Sequence, residues 1–248
     1  MHQKNKLERH MANFLLGMVM YSRFRSEHML VHHRYAATPR DPVTALMGEH
    51  FYRYFPRVLR NSFISTLGAE AAMLARKDLP AIDRGNPFWK YAALQGGFLF
   101  LALSLGGWAG VGLFLLQAGI AIWQLELVNF IENYGLTRKH LGEGKYEHVQ
   151  PRHSWNAAYK ASNWLLINLQ RHSDHYHKPD RRFPVLQTYT EADAPQLPYG
   201  YPIMTMAAMY PPMFRRIMNP RVRKWREMYY PEITDWSAYN TAKNPMPH

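Results

Sequence analysis

Residues 91–125 read YAALQGGFLFLALSLGGWAGVGLFLLQAGIAIWQL, and no charged side chain occurs between Lys90 and Glu126. At about 1.5 Å per residue, one helix of this length would be too long for a hydrocarbon core about 30 Å thick. We therefore predict two membrane helices joined near Gly106–Gly107, forming a hairpin over about residues 90–134. The aromatic residues near the helix ends fit the belts found at membrane–water interfaces: Trp89, Tyr91, Trp108 and Trp123.

The far end of the second helix carries four polar side chains: Glu126, Asn129, Glu132 and Asn133. Polar groups are costly inside a bilayer unless they face the interior of the protein or a binding site. We therefore expect a functional site at this end of the hairpin.

The composition describes a basic chain without cysteine. Thirty Lys and Arg against 18 Asp and Glu give a formal net charge of +12, which suits nucleic acid, an anionic membrane surface or an acidic protein partner. We favour membrane lipids and no nucleic acid, because no RNA-binding motif or zinc-finger spacing occurs and basic residues collect beside membrane spans. The mean hydropathy of -0.39 averages an apolar middle with basic, proline-rich flanks. Without cysteine, any metal must be held by nitrogen and oxygen donors.

Three histidines lie within residues 27–33, EHMLVHH, which we term the upstream cluster. On a regular helix His28 and His32 are about one turn apart and share a face, whereas His33 is rotated by about 100°. The shared face can grip one metal ion, and the offset of His33 suits a second ion beside it.

Three more histidines lie within residues 169–177, LQRHSDHYH, which we term the downstream cluster. His172 and His175 are three apart and share a helix face, whereas His177 points elsewhere. Two such clusters beside a membrane run predict metal binding, and imidazole suits iron, copper or zinc, so the spacing does not name the metal. The isolated histidines are expected to be ordinary surface residues: His10, His50, His140, His148 and His248.

The N-terminal part of the chain is predicted to be helical. Residues 5–24 have helical periodicity that continues to His33, and two prolines end this helix within residues 37–42. Residues 43–77 are amphipathic and basic, which predicts either a helix along the membrane interface or a soluble surface helix.

The C-terminal part alternates polar and helical stretches. Residues 137–153 are predicted to be a solvent loop, and residues 154–177 are predicted to be a helix that ends in the downstream cluster. Residues 178–248 are rich in Pro and Arg and form a predicted cytoplasmic tail. Within it, residues 203–218 form a methionine-rich apolar patch, for which an interfacial position is more plausible than a membrane span.

Short motifs are spread along nearly the whole chain: HQKNKLER at residues 2–9, EHMLVHH at 27–33, ATPRDP at 37–42, NFIENYGL at 129–136, RHSWN at 152–156, LQRHSDH at 169–175 and APQLP at 194–198. Together they resemble the integral-membrane alkane hydroxylases, the alkane 1-monooxygenases of the fatty acid desaturase and hydroxylase group. The first stretch is similar to the tail of the family's HExxHK-type box, and the next two are similar to its second box. NFIENYGL resembles the NYxEHYGL signature, and LQRHSDH matches the LQRHSDHH box up to its last position.

The resemblance implies an all-α membrane bundle of six helices that forms a single hydroxylase domain. It also implies two non-haem irons in a histidine cage, on the cytoplasmic side of the bacterial inner membrane. It implies that the irons activate O2 and hydroxylate the terminal methyl of an alkane, that rubredoxin or a similar protein delivers electrons, and that no catalytic group is needed beyond the metal site. The ligands implied are His2, His28, His32, His33, His172 and His175. The carboxylates that would orient the imidazoles are Glu27, Glu132 and Asp174.

The chain departs from the family pattern at three ligand positions. The leading histidine of the first box is expected three residues before Met1, which predicts a chain truncated at its N-terminus. Asn133 stands where the signature has histidine, and Tyr176 stands where the last box has its second consecutive histidine. An asparagine can bind a metal through its amide oxygen or a water, and a tyrosine can bind ferric iron. His177 is a third candidate, although a regular helix turns it about 100° from position 176.

These departures leave two alternatives to alkane hydroxylation. One is a sibling chemistry, in which a related hydroxylase or desaturase acts on another apolar or acyl substrate. The other is a degenerate or truncated homologue that has no catalytic activity and serves as a partner subunit.

Overall fold

The computed structural model describes residues 6–242 and residue 245, and over these residues the chain is mostly helical with little strand. His2 and His248 lie outside the described residues, so the predictions made for them stay predictions. The chain divides into two compact units. The first unit comprises Met1–Arg34 and Leu59–Glu126, and the second comprises Tyr35–Val58 and Leu127–His248.

The N-terminal segment is not one continuous helix. Helix α1 covers Lys6–Met18 and is followed by α2 (Phe24–Ser26), a π-helical turn (Glu27–His32) and α3 (His33–Tyr35). The backbone φ of Met20 is 55°, a left-handed conformation that cannot continue a right-handed helix. The prediction of an unbroken helix from residue 5 to His33 is therefore wrong.

Helix α4 covers Phe51–Ala75 and begins later than its amphipathic pattern suggests. The preceding residues 43–50 form turns, because the Glu49 carboxylate accepts a hydrogen bond from the Leu46 amide and pairs with Arg57 at 2.8 Å. These side-chain contacts compete with helical hydrogen bonding in residues 43–50.

Helix α5 covers Pro87–Asn133 and reverses direction at Gly107, whose φ of 57° and ψ of -150° are not helical. A Cβ on Gly110 would lie 2.4 Å from the carbonyl oxygen of Ala102, and the rings of Phe98 and Phe114 stack at 6.2 Å. Residues so far apart along one straight helix could not touch. The predicted joint near Gly106–Gly107 is therefore confirmed.

The surface of the α5 hairpin is apolar. Among the described residues, Pro87–Asn133 is the one helix that is long and apolar enough to cross a membrane, judged by length and composition. Its exposed side chains include Phe100, Leu105, Trp108 and Leu113. Such a surface suits lipid rather than water.

The second unit contains a small sheet and several short helices. Strands β1 (His140–Gly142) and β2 (Lys145–Tyr146) are antiparallel, with His140 opposite Tyr146. The helical elements that follow are a 3-10 turn (Pro151–His153), α6 (Lys160–Leu165), α7 (His172–His177), a 3-10 turn (Phe183–Val185), α8 (Tyr201–Ala208), α9 (Pro211–Tyr229) and α10 (Ala238–Thr241). Aromatic side chains form its core, with Phe214 lying 5.2 Å from Phe130 and 4.9 Å from Tyr134 between ring centroids.

Two expectations for this unit are wrong. The predicted helix over residues 154–177 is broken, because Ile167 and Asn168 have φ of 51° and 62° between α6 and α7. The predicted solvent loop over residues 137–153 contains the small sheet and buried side chains. In particular, His140 is not a surface residue, since it is 3% exposed and its ring lies 4.9 Å from the ring of Tyr146.

Candidate metal centre

The upstream cluster lies in the π-helical turn Glu27–His32, in which each amide bonds to the carbonyl five residues earlier. The His33 amide accordingly donates to the His28 carbonyl. This wider turn brings the side chains of His28 and His33 together, with their Nε2 atoms 3.0 Å apart. The regular helix assumed from the sequence would have placed His28 beside His32 instead.

The three rings of the upstream cluster suit a metal. The ring centroids of His28 and His32 are 5.3 Å apart, and those of His32 and His33 are 5.7 Å apart. Two imidazole nitrogens bound to one ion at about 2.1 Å and at right angles lie about 3.0 Å from each other. The Nε2 atoms of His28 and His33, which share a hydrogen bond at 3.0 Å, are close enough to bind one ion. The donor set is compatible with iron, copper or zinc.

Glu27, at the start of the upstream cluster, is paired with an arginine. Its side chain is 1% exposed and its carboxylate accepts a hydrogen bond from Arg23. Arg23 also lies 3.3 Å from the Tyr21 hydroxyl, which donates to Glu126 at 2.7 Å. Burial, and then the neighbouring Glu126 and Glu27, raise the pKa of Tyr21 well above its ordinary value, so its hydroxyl keeps the proton it donates.

In the downstream cluster, α7 carries two buried imidazoles. The ring centroids of His172 and His175 are 5.5 Å apart, and the rings are 5% and 4% exposed. The Nδ1 of His172 lies 3.1 Å from the carboxylate of Glu132, near the end of α5. A carboxylate in this position selects the tautomer of the ring and leaves Nε2 as the donor for a metal.

Asp174 anchors α7 to the segment that follows it. Its buried carboxylate accepts hydrogen bonds from Arg181 at 2.8 and 2.6 Å, from the Gln187 amide at 2.8 Å and from the Tyr189 hydroxyl at 2.9 Å. Burial alone would raise the pKa of Asp174, but these donors outweigh it and lower the pKa below its ordinary value. Asp174 therefore holds the helix that carries the histidines, whereas the sequence suggested that it orients an imidazole directly.

The two residues that depart from the family pattern are hydrogen-bonded to each other. The hydroxyl of Tyr176 donates to Oδ1 of Asn133, and Nδ2 of Asn133 donates to the Asn129 carbonyl at 2.8 Å. Both side chains are buried, whereas His177 is exposed on the other side of α7. The amide oxygen of Asn133 thus already has a partner, and the exposed His177 does not share the buried environment of Tyr176.

A buried network that the sequence did not suggest supports the same unit. His153 is fully buried, accepts a hydrogen bond on Nδ1 from the Gln150 amide at 2.9 Å and lies 2.8 Å through Nε2 from the Tyr230 hydroxyl. Tyr230 in turn donates to the Glu147 carboxylate, which also pairs with Arg152 at 2.8 Å. The only sequence signal was the family motif RHSWN, which contains both Arg152 and His153.

Burial keeps His153 neutral. Burial lowers the pKa of His153 to about 4, although Glu147 acts in the opposite direction. Burial would raise the pKa of Glu147, but hydrogen bonds from His153, Tyr230 and the Lys139 amide lower it to about 2. Ser154 and Trp155 follow directly, and the Trp155 amide donates to the Glu132 carbonyl at 2.9 Å. The network therefore supports the backbone that carries Glu132.

The chain is similar in sequence to a known protein family and to several curated proteins. Residues 1–208 match the sequence profile described as fatty acid desaturase. An alkane 1-monooxygenase 2 of Pseudomonas aeruginosa is 38% identical over 235 residues, which is 94% of this chain and 62% of that protein. An alkane 1-monooxygenase of Acinetobacter baylyi is 35% identical over 96% of this chain and 57% of its own length.

A more distant relative has a different named substrate. The xylene/toluene monooxygenase hydroxylase component XylM of Pseudomonas putida is 28% identical over 92% of this chain and 60% of its own length. The chain thus spans about three fifths of the length of these curated relatives.

Proposed function

Because this chain belongs to the fatty acid desaturase family, whose members are membrane proteins, we propose that it acts as a membrane monooxygenase that hydroxylates the terminal methyl of alkanes. The observation that carries the proposal is the 38% identity to an alkane 1-monooxygenase over 94% of the chain. The spacing of His28 and His33 supports it, because a strong C–H bond requires an oxidant generated at a metal.

The proposed reaction consumes one O2, two electrons and two protons. One oxygen atom enters the terminal C–H bond and forms a primary alcohol, and the other leaves as water. Two non-haem irons, when bound, would supply the activation of O2 that no side chain can provide. The ligands proposed among the described residues are His28, His32, His33, His172 and His175.

Two carboxylates, Glu132 of α5 and Asp174 of the downstream cluster, have supporting roles in this proposal. Glu132 holds the ring of His172 in one orientation, and Asp174 holds α7 in place. The apolar surface of α5 would lie in the lipid, from which an alkane without any polar group can enter. We propose a single hydroxylase domain in the bacterial inner membrane, with the metal site on the cytoplasmic side.

The proposed electron donor is rubredoxin or a similar small acidic protein. Helix α9 carries six basic side chains: Arg215, Arg216, Arg221, Arg223, Lys224 and Arg226. A basic surface steers an acidic partner during diffusional encounter and makes its association rate sensitive to salt.

Two observations favour other functions. The similarity to XylM supports hydroxylation of a methyl group on another apolar substrate, and the family itself includes acyl desaturases. The Asn133–Tyr176 pair supports a homologue with altered or no activity, because it occupies two positions that carry histidine in the family pattern.

Membranes that contain the chain, supplied with rubredoxin, rubredoxin reductase and NADH, test the proposal under 18O2. We expect a 1-alkanol with one labelled oxygen from octane or a longer alkane, and no product from His28→Ala. The purified protein should contain about two irons, and stoichiometric zinc without iron would contradict the proposal.

The same assay separates the alternatives. Labelled benzylic alcohol from xylene, or an unsaturated product from an acyl substrate, with no alkanol would indicate a sibling chemistry. Absence of any product, together with activity in the Asn133→His/Tyr176→His variant, would indicate a homologue that has lost its activity.

A further inference from the structure

A basic pocket of about 480 Å³ lies between α1 and the start of α5, within the first unit. Its cationic side chains are Arg9, Arg25 and Lys90, and its apolar side chains include Phe14, Tyr91 and Leu94. The pocket therefore combines a concentrated positive charge with an apolar wall. None of its lining residues belongs to either histidine cluster, and the reaction proposed above does not use it.

The positive charge of the basic pocket has no acidic partner among the described residues. No acidic side chain lines it, and within residues 6–242 the side chains of Arg9, Arg25 and Lys90 form no ion pair. The Nε of Arg25 and the Oδ1 of Asn13, which also lines the pocket, are buried without a hydrogen-bond partner in the same part of the chain. Buried polar groups usually have partners, so this arrangement points to a ligand.

The walls of the basic pocket are held by contacts behind it. The Ser26 hydroxyl donates to the Glu70 carboxylate and lies 2.8 Å from the Tyr91 hydroxyl, which fixes the residue next to Arg25 against the pocket wall. These contacts hold the backbone beside Arg25 in place before a ligand binds.

The close packing of α1 on α5 fixes the apolar side of the pocket. A Cβ on Gly17 would lie 2.6 Å from Leu94, and the rings of Phe14 and Phe98 meet edge to face at 5.2 Å. The pocket thus continues into the apolar surface of the hairpin.

The position of the basic pocket, at the start of the membrane hairpin, suggests its ligand. Lys90 lies at the start of the uncharged run, beside Trp89, whose indole is 57% exposed and suits the interface of a membrane. We propose that the basic pocket binds an anionic phospholipid. Its phosphodiester contacts Arg9, Arg25 and Lys90, and one acyl chain lies along Phe14 and Leu94. A free phosphate would leave this apolar wall without a partner.

Native mass spectrometry of the full chain in detergent tests the proposal with phosphatidylglycerol and phosphatidylcholine as probes. We expect phosphatidylglycerol to bind more tightly, and the Arg25→Gln/Lys90→Gln variant to lose about 30-fold in affinity for it. Glutamine is a good helix former, so the exchange preserves the helices. The matched control is Lys77→Gln/Arg84→Gln, which removes the same charge from exposed positions of the same unit and should bind as the wild type does.

Each other outcome overturns the proposal. Equal affinity for the two lipids would show that the headgroup charge is not read, and equal losses in both double variants would show nonspecific attraction. Displacement of the lipid by millimolar inorganic phosphate would assign the site to a free anion. Should the double variant not fold, Lys90→Gln alone gives the same test, with an expected loss of about fivefold. None of these readouts depends on metal content or on hydroxylase activity.

Discussion

The upstream and downstream clusters each contain three histidines, but the protein positions their rings in different ways. In the upstream cluster the period of the π-helical turn brings His28 and His33 together. In the downstream cluster α7 is only six residues long, and it is held by side chains from elsewhere, including Glu132 and Arg181. Clustered histidines can thus be positioned by backbone geometry in one place and by contacts with side chains outside their helix in another. The upstream cluster should therefore be sensitive mainly to its own residues, and the downstream cluster to its partners.

The largest effect is expected from the anchor of the downstream cluster. Asp174→Ala removes a buried carboxylate and leaves Arg181, the Gln187 amide and the Tyr189 hydroxyl without their acceptor, which should lower the free energy of unfolding by about 3–5 kcal/mol. Thermal unfolding of the protein in detergent measures this loss. Asp193→Ala is the matched control, since Asp193 is exposed and its carboxylate accepts a hydrogen bond from Thr190, with no arginine partner among the described residues. A similar loss in both variants would contradict the special role of Asp174.

Substitution of a histidine in the upstream cluster should affect metal binding more than stability. His33→Ala removes one of the two converging Nε2 atoms and should reduce iron affinity by at least about 100-fold. Retention of iron against graded chelator concentrations measures the change, with the exposed His148→Ala as control. Unchanged retention in His33→Ala would show that the π-helical turn does not form a metal site.

Low pH should decrease the stability of the unit that contains the downstream cluster. The pKa of His153 falls from 6.5 in its ordinary state to about 4 in the folded protein, so between these values the unfolded chain binds a proton that the folded chain does not. The contribution of His153 to the free energy of unfolding is therefore fully present above about pH 6.5, and it decreases as the pH falls toward 4. Glu147, with a pKa of about 2, extends the loss from about pH 4.5 downward, because its contribution disappears as the pH falls through its folded value.

The change between pH 7 and pH 5 should amount to about 2 kcal/mol from His153 alone. Unfolding in detergent across this range measures it, and His153→Gln should flatten the dependence while His148→Gln should not. An identical pH dependence in His153→Gln and the wild type would remove His153 as the cause.

The smallest effect is expected at the two positions that depart from the family pattern. Tyr176→Phe removes the hydroxyl that donates to Asn133 and should cost about 1 kcal/mol of stability. A double-mutant cycle with Asn133→Leu should give a coupling energy of similar size. A coupling near zero, with a loss of iron in Tyr176→Phe, would instead indicate that Tyr176 is a metal ligand.

The features that the sequence predicted depend on residues close together in the chain. The hairpin followed from the uncharged run and its glycines, and the histidine clusters were visible as short motifs. Two of the errors have local causes that the amino-acid composition does not show. Left-handed residues at Met20 and Ile167 interrupt two predicted helices, although neither is a glycine. His140 was misjudged because its burial depends on the fold of the small sheet.

The sequence by itself determined the family, the mostly helical character and the apolar hairpin. These features depend on composition, on motifs formed by neighbouring residues and, for the hairpin, on the surrounding lipid. Only the tertiary structure decided which groups meet. Examples are His172 with Glu132, Tyr176 with Asn133, and the three cations of the basic pocket. The members of each set are separated by 40 or more positions, or lie on different helices. Their approach depends on the packing of the whole unit, which no local pattern specifies.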